Sequence, residues 1–557
     1  MELSVIEADR VIVYLGFFLA AFLVVQTTQQ RQRFAEGLAV SLVLVALLGL
    51  TSRLLPDLLD IANAVGSGPR MRYPLGYWNA NGTVFGIAIA MLLWSSRRSS
   101  FAALRWASVA AMPAVLLALY FTYSRGGLLA LMVASGCMIV LSRDRLWMLA
   151  TVGIAAIGAL PAIAAVQSRT ELADNLAGAG RTDQGVTALL VLLAGAAVAV
   201  ALFAALRWLE RREGSRTGRL VALSRNPSLL RGAAIAIAVI GIGVAIAIGG
   251  KAWNQFSSSD IAFPDDPQAH FSELGGAGRH DFWRVAIDAF GEAPVAGDGA
   301  GTYVFSWTEL RSITLPVHDA HSLYLEAFAE LGVIGGLLVL AMVLSLLWFG
   351  FQAWHHSPDR ERDRNAALLA AMLAFAVGAA WDWFWEIAAM GAIFFLVAGV
   401  VVGVRCSQLG GAAAPTRRDG NRRYGLAMLG VAASWIAAAA LIGPLLVERE
   451  IESSRDAAAA GNYVAAVDHA GTARSIEPWA ASPYIQLGLL AEAQGDYVTA
   501  IAHYTDAIER EDRTWQWYYL RSKAERAAGD EAAAARDLER ARELNPLSAC
   551  LQAGDCG

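Results

Sequence analysis

The chain alternates long apolar blocks with short polar connections along most of its length. Each block is roughly 17 to 25 residues long, which is the length a helix needs to cross the hydrocarbon of a bilayer. About twelve blocks can be counted by this pattern, and they lie near residues 10–27, 36–55, 80–95, 101–122, 126–142, 146–166, 185–207, 231–249, 321–350, 366–381, 385–405 and 424–446. The pattern predicts an all-α fold, a polytopic bundle of about 12 transmembrane helices.

Basic residues mark alternate connections between these blocks. Arginines cluster near residues 31–33, 97–105, 143–145, 207–231, 360–364 and 405–423. The positive-inside rule makes those connections cytoplasmic, so the N-terminus, residues 250–320 and everything after 446 lie outside. The opening MELSVIEADR has no signal-peptide pattern. We therefore expect that leading helices are missing; the alternative is a first helix that inserts with its start outside.

The polar tail after the last block contains a repeat. Gly461, Gly495 and Gly529 stand 34 residues apart, and each is followed by an alanine at the same offset. A 34-residue period with a Gly-Asp-Tyr turn looks like tetratricopeptide repeats, which are helix pairs that stack into an α-solenoid. Such a tail either docks a protein partner or forms a passive cap, and the pattern favours neither.

Composition fits an integral membrane protein rather than a large soluble enzyme. The 557 residues are 56% hydrophobic and 17% charged, and the mean hydropathy is +0.45. We divide the chain into N-terminal transmembrane helices (1–249), a large extracytoplasmic loop (250–320), C-terminal transmembrane helices (321–447) and an extracytoplasmic tail (448–557). Cys550 and Cys556 lie in that tail, where a disulfide is allowed. We expect contact with membrane lipids and none with nucleic acid.

The 250–320 loop holds the most informative residues. It begins with an irregular stretch, SSSDIAFPDDPQ, and apolar residues at helical spacing then predict an amphipathic helix over residues 279–290. Arg279 and Arg284 lie on this helix, and guanidinium groups can hold a diphosphate. A glycine-rich turn follows, and the loop returns to the membrane at His318 and His321. For Arg284, binding to lipid head groups is a serious alternative.

His321 is the first candidate for catalysis. Histidine suits general-base work near neutral pH, although an isolated histidine at a membrane surface is more often simply hydrated. Its neighbours favour the catalytic interpretation, because cations and a proton acceptor meet at one membrane surface. That combination suits a lipid-linked substrate with an anionic head group.

Further candidates lie outside this loop. Arg125, in TYSRGG, occupies a very short outside turn, and arginines held inside a membrane bundle are usually functional. The YPLGYWNANG segment contributes Asn79 and Asn81 after Arg72, and WDWFWE contributes Asp382. Amides and aromatic rings contact carbohydrates well, although Trp and Tyr also form ordinary interface belts. The outside loops contain no DxD-type metal motif, and the chain has no P-loop and no GxSxG elbow, so we expect neither a metal nor another cofactor.

Taken together, the motifs resemble the O-antigen ligase and polymerase superfamily. The matching segments are GYWNANG, YSRGG, GR-x3-W followed by GDGAGTY, and HDAHSLYLEAFAELGVIGG, in the order of the family and over about residues 70–400. Some members also have C-terminal tetratricopeptide repeats. The resemblance implies a metal-independent, inverting transfer of a glycan from undecaprenyl diphosphate, with Arg279 and Arg125 on the diphosphate and His321 activating the acceptor hydroxyl. The family usually has Asn after this histidine, whereas this chain has Ser322.

The resemblance leaves the acceptor open, because ligases, polymerases and protein glycosyltransferases share the donor chemistry. We expect an enzyme of the inner or plasma membrane that ligates or polymerises a surface polysaccharide. Two alternatives belong to other classes: a lipid-glycan transporter, which needs charges along a central cavity, and a non-catalytic scaffold that displays the repeats.

Overall fold

The computed structural model describes residues 2–59, 68–178, 180–212, 250–258 except 252, 275–410, 442–553 and 556, with isolated positions between 425 and 439. Within these residues the secondary structure is helical and contains no strand. Two single 3-10 turns accompany the α-helices, which are α1 (Glu2–Val24), α2 (Thr28–Leu54), α3 (Trp78–Arg98), α4 (Ala102–Phe121), α5 (Arg125–Leu141), α6 (Arg145–Gln167), α7 (Thr170–Ala173), α8 (Arg181–Arg212), α9 (Arg279–Glu292), α10 (Tyr303–Leu310), α11 (Leu323–His355), α12 (Asp359–Ala379), α13 (Ala388–Leu409), α14 (Ile442–Ala459), α15 (Tyr463–Ile476), α16 (Ser482–Ala493), α17 (Tyr497–Arg510), α18 (Trp515–Ala528), α19 (Glu531–Leu544) and α20 (Ala549–Ala553).

Six of these helices are long and apolar enough to cross a membrane: α2, α4, α6, α8, α11 and α13. Four more predicted segments coincide with α1, α3, α5 and α12, of which α5 is apolar but shorter. The segment at 231–249 lies outside the described residues, as does most of the segment at 424–446. The all-α class is thus confirmed for the described residues, while the count of twelve stays a prediction.

The chain forms two compact units. The first, here called the bundle unit, comprises Phe17–Gly278 and Ala341–Ala427. The second, here called the tail unit, joins Met1–Gly16, Arg279–Leu340 and Met428–Gly557. Residues 279–320 of the predicted loop and the predicted tail, which are more than a hundred residues apart in sequence, therefore belong to one unit, whereas the loop before Arg279 belongs to the bundle unit.

Close helix packing in the bundle unit depends on small residues. Where α3 meets α5, a Cβ added at Gly127 would lie 2.7 Å from the Cα of Gly82, and one added at Gly82 would lie 3.0 Å from Ser124 Cβ. Only glycine lets two backbones approach so closely, as in other membrane helix pairs. This contact brings the N-terminal ends of both helices together, so that Asn79 and Ser124 can meet.

Ion pairs connect helix ends at several arginine-rich connections of the bundle unit. Arg98 bridges Asp144 at 3.0 Å and Asp363 at 2.7 Å, while Arg97 bonds Asp144 at 3.2 Å and Glu210 at 2.5 Å. Asp363 is almost fully buried, so its charge has to be paired. Some of the arginines that predict orientation therefore also hold helices together.

Helices α14 to α19 pack in sequence order, each against the next. The repeated Gly-Asx pair starts every second helix of this stack, because Asn462, Asp496 and Asp530 each cap one. Their side chains accept backbone N–H groups at 3.2, 3.1 and 3.0 Å, as good N-caps do. The preceding glycines have φ of +78°, +78° and +92°, which suits a residue without Cβ. The following alanines at 466, 500 and 534 are fully buried.

Cys550 and Cys556 form a disulfide, as the sequence allows. The bonded segment returns onto α18, where the backbone N–H of Cys556 donates to the Tyr519 hydroxyl at 2.7 Å. We expect intact protein to show no labelling of either cysteine by a thiol reagent until reductant is added. Cys406, an exposed free thiol, is the internal positive control. Labelling of Cys550 and Cys556 without reductant would contradict the pairing.

Candidate active site

Helix α9 buries one face in a small apolar core of the tail unit. The core collects residues of α9, α10, α11 and the connection before α11: Phe282, Val285, Ala286, Ala289, Tyr303, Trp307, Val317, Ala320 and Ala329. The Phe282 ring lies 5.1 Å from Trp307, edge-on, and 5.0 Å from the His321 ring, between centroids. The Tyr303 hydroxyl donates to the Phe282 carbonyl at 2.9 Å, and burial raises the pKa of Tyr303 well above its usual range. The helix predicted over 279–290 is confirmed, and its apolar face packs on α10 and α11, whereas the sequence predicts that it lies on the membrane or on the helix bundle.

Glu330 ties the glycine-rich turn to α11. Its carboxylate accepts the N–H groups of Gly301 and Tyr303, both at 2.9 Å, and its backbone carbonyl accepts that of Gly299 at 2.9 Å. These N–H groups lie at the start of α10, where helix geometry leaves donors without an internal partner and favours a negative charge. A buried carboxylate therefore fixes the turn and α10 relative to the helix that follows His321.

Glu326 holds the segment that contains His321. Its carboxylate accepts the Ala320 N–H at 2.8 Å, and Glu326 is only 4% exposed. His321 itself has φ of +54°, an uncommon conformation for a residue with a side chain. Ser322 comes next, and its hydroxyl accepts the Leu325 N–H at 3.4 Å at the start of α11. Ser322, which departs from the family pattern, thus acts as a helix cap.

The ring of His321 has a defined orientation. Nδ1 lies 3.1 Å from the backbone oxygen of Asp319. A carbonyl oxygen only accepts hydrogen bonds, so Nδ1 carries the proton in the neutral ring and the lone pair is on Nε2. The side chain is half-buried beside Phe282, whereas His318 is exposed. The His321 ring is therefore fixed by a backbone contact and is half-buried, whereas His318 is exposed.

The two arginines of α9 have different surroundings. Arg279 is the first residue of the helix and is half-buried. Helix N-termini attract anions. Arg284 pairs with Asp288 at 3.2 Å and bonds the Leu310 carbonyl at 3.3 Å and the Ser312 hydroxyl at 3.2 Å. Arg284 thus links α9 to the end of α10, whereas Arg279 begins α9.

In the bundle unit a polar cluster joins α3, α5 and the turn before α13. Asn79 donates to Asp382 at 2.6 Å and to the Tyr77 hydroxyl at 2.8 Å, and that hydroxyl donates to Asp382 at 2.9 Å. Asn79 also accepts the Ser124 hydroxyl at 2.6 Å. Asn79 and Asp382 are 7% and 4% exposed. The sequence predicts both as site residues, and the structure brings them into direct contact.

Arginines surround this cluster. Arg70 bonds the Tyr123 carbonyl at 2.9 Å and Asn79 at 3.4 Å, and its guanidinium lies 4.5 Å from the Trp78 ring. Arg72 is exposed and lies 4.9 Å from the same ring. Arg125 is the first residue of α5, directly after Ser124. Two helix N-termini and three arginines therefore give this end of the bundle unit a positive character.

Asn81 has a different position from the other predicted site residues. It is fully buried, and its amide donates to the Arg72 carbonyl at 2.6 Å. Its side chain therefore holds the backbone of the segment before α3 in place. Sequence reasoning selected it for its place in the NANG motif, which does not separate inward from outward side chains.

The sequence does not single out five polar residues of these clusters as site residues: Arg70, Tyr77, Ser124, Glu326 and Glu330. A signal existed for the last two, since a carboxylate in an apolar helix is costly unless it is bonded. Arg70 and Ser124 adjoin selected motifs. The predicted irregular stretch SSSDIAFPDDPQ lies almost wholly outside the described residues.

Each unit thus gathers part of the predicted site. Arg279, Arg284 and His321 share the tail unit, whereas Arg72, Asn79, Asn81, Arg125 and Asp382 share the bundle unit. The first set combines a cation, a helix N-terminus and an oriented imidazole. The second combines cations, a buried carboxylate and aromatic rings. Such groups can bind a phosphorylated carbohydrate and take up a proton.

Two comparisons with known proteins bear on this chemistry. A search of curated proteins finds none that matches the chain. Residues 182–340 match the O-antigen ligase family, and that stretch contains Arg279, Arg284, the glycine-rich turn and His321. The six apolar helices support a multi-pass membrane protein, and the match over residues 182–340 supports a role in membrane glycan processing.

Proposed function

We propose that the protein is a glycosyltransferase that moves a glycan from an undecaprenyl-diphosphate donor to an acceptor hydroxyl in surface polysaccharide synthesis. The observation that carries this proposal is the orientation of His321, whose Nδ1 proton is held by the Asp319 carbonyl. An imidazole fixed in this way is prepared to accept a proton through Nε2. The family match and the arginine at the start of α9 support the same conclusion.

In the proposed reaction the acceptor oxygen forms a bond to the anomeric carbon as the bond to the diphosphate oxygen breaks. His321 Nε2 takes the hydroxyl proton, and the diphosphate leaves with the bonding electron pair. The single displacement inverts the anomeric centre. Arg279, assisted by Arg284, stabilises the charge that develops on the leaving group, and no metal is needed for that role.

The roles proposed for the bundle-unit residues rest on the sequence resemblance and on contacts within their own unit. Arg125 and Arg72 bind the diphosphate or the lipid head, with Asp382 and Asn79 orienting the sugar or the groups around it. Asn81 supports the segment before α3. The helical tail, whose 34-residue spacing is that of tetratricopeptide repeats, is proposed to be an α-solenoid on the extracytoplasmic face of the inner or plasma membrane, where it can also meet a protein partner.

The test is a deletion strain complemented with wild type, Arg279→Ala or Arg526→Ala at matched expression. Arg526 is a matched control because it is an exposed tail arginine whose pairing partner is Glu531. We expect wild type and Arg526→Ala to restore long or attached surface glycan, and Arg279→Ala to lose it. Accumulated single repeat units in the deletion strain indicate a polymerase, and unattached full-length polymer indicates a ligase. Full rescue by Arg279→Ala would favour a transporter or a scaffold instead.

A further inference from the structure

The loop that contains His321 is in contact with the C-terminal tail. Arg513, in the connection between α17 and α18, bonds Asp298 of the glycine-rich turn at 2.7 Å. Its other terminal nitrogen lies 3.3 Å from the Ser306 hydroxyl and 3.5 Å from Glu309, both on α10. One tail arginine thus spans the turn and the helix that follows it.

A second contact between the loop and the tail lies at the end of α10. Arg311, directly after the helix, donates to the Asn545 side chain at 2.8 Å. Asn545 follows α19 and is 5% exposed, so this hydrogen bond is shielded from water. The tail therefore contacts α10 from two of the connections between its helices, and both contacts belong to the tail unit.

The first residues of the chain also contact both the glycine-rich turn and the tail. The Ser4 hydroxyl donates to the Ala300 carbonyl at 2.9 Å. Glu2 accepts the Ser482 hydroxyl at 2.8 Å and the N–H of Ala481 at 3.0 Å, at the start of α16. The first residues of α1 therefore bond both the glycine-rich turn and the tail.

These contacts lead to His321 through packed side chains. Trp307 lies between Ser306 and Glu309 on α10, and its ring packs against Phe282. Phe282 in turn packs against the His321 ring. A displacement of α10 would therefore move Trp307 and Phe282, and through them the imidazole of His321.

We infer that the tail is an intramolecular docking partner of the site loop, and that Arg513 is a positioning residue for His321 that acts through α10. The docking stands on contacts alone, whereas the consequence for catalysis rests on the proposed function. The charges fit this role, because a cation of the tail meets two carboxylates of the loop. When Arg513 is removed, the carboxylates of Asp298 and Glu309 lose the guanidinium that contacts both of them.

The experiment measures amide hydrogen exchange in the full-length protein, reconstituted in lipid nanodiscs. Arg513→Gln should speed exchange of residues 298–310 about twofold to fivefold, the range for a partly exposed ion pair. Arg513→Glu should speed it further, because a third carboxylate then faces Asp298 and Glu309. Arg526→Glu, which reverses an exposed tail arginine elsewhere, is the matched control.

A double-mutant cycle identifies the partner. Asp298→Asn combined with Arg513→Gln should speed exchange little more than either single variant, because both remove the same contact. Additive effects would overturn the assigned pair. Exchange of residues 298–310 that is equal in Arg513→Glu and Arg526→Glu would overturn the docking itself.

The catalytic arm uses the same variants in a transfer assay. Arg513→Glu should lower kcat at least threefold with KM for the donor unchanged, since Arg279 keeps its place at the start of α9. Faster exchange with wild-type kcat would overturn the link to His321. Absence of transfer by wild type would refute the proposed function, while the exchange results would still decide the docking.

Discussion

Replacing His321 by alanine should lower the rate of glycan transfer about 10²–10⁴-fold, the usual contribution of a positioned general base. The reason is the fixed ring. Because Nδ1 is bonded to the Asp319 carbonyl, Nε2 is the nitrogen of this imidazole that can take the proton of the acceptor hydroxyl. The measurement is the initial rate of the purified protein with a lipid-linked donor. Donor binding should change little, because the arginines remain.

His318 provides the matched control. It lies three residues earlier in the same loop but is exposed. His318→Ala should therefore retain at least half of the wild-type rate. Equal losses at the two positions would show that the segment tolerates no change, and a larger loss at His318 would reverse the assignment of the base.

Gly297→Ala should destabilise the protein by about 2–4 kcal/mol, adding a positive-φ penalty to a steric one. Gly297 has φ of +68°, and a Cβ there would overlap the Glu330 carbonyl and lie 2.5 Å from the Leu331 nitrogen. Both neighbours are backbone atoms, so neither can rotate away. The measurement is thermal unfolding of the detergent-solubilised protein, together with glycan transfer.

Gly291→Ala is the control for this change. Gly291 lies near the end of α9, and a Cβ there would have no neighbour within 4 Å. Its melting temperature should be equal to or slightly above that of wild type, as for alanine in place of glycine in a helix. A Gly297→Ala protein as stable as Gly291→Ala would show that the turn relaxes at little cost.

The sequence predicted much of this arrangement because its strongest signals are local. The apolar blocks predict most of the long helices, and the 34-residue repeat predicts helices in the tail. The helix over 279–290 followed from its own apolar face. Such features depend on neighbours along the chain, which a sequence displays directly.

Contacts between distant residues could not be predicted in the same way. Nothing in the sequence pairs Asn79 with Asp382 or Arg513 with Asp298, since each pair is separated by more than two hundred residues. Glu326 and Glu330 were visible as charges in an apolar helix, but their roles depend on which N–H groups the loop presents to them. Asn81 shows the converse limit, because a motif does not reveal which of its side chains points inward.

The tail unit is assembled from three separate stretches of the chain, and this has a consequence for biosynthesis. Leu340 leaves the ribosome 173 residues before Arg513, because 513 − 340 = 173. At about 5–20 residues per second, Asp298 and Glu309 wait roughly 9–35 s for Arg513. During that interval Asp298 and Glu309 lack Arg513. A newly inserted chain thus acquires this contact late, and premature termination before Arg513 yields a membrane protein whose loop lacks it.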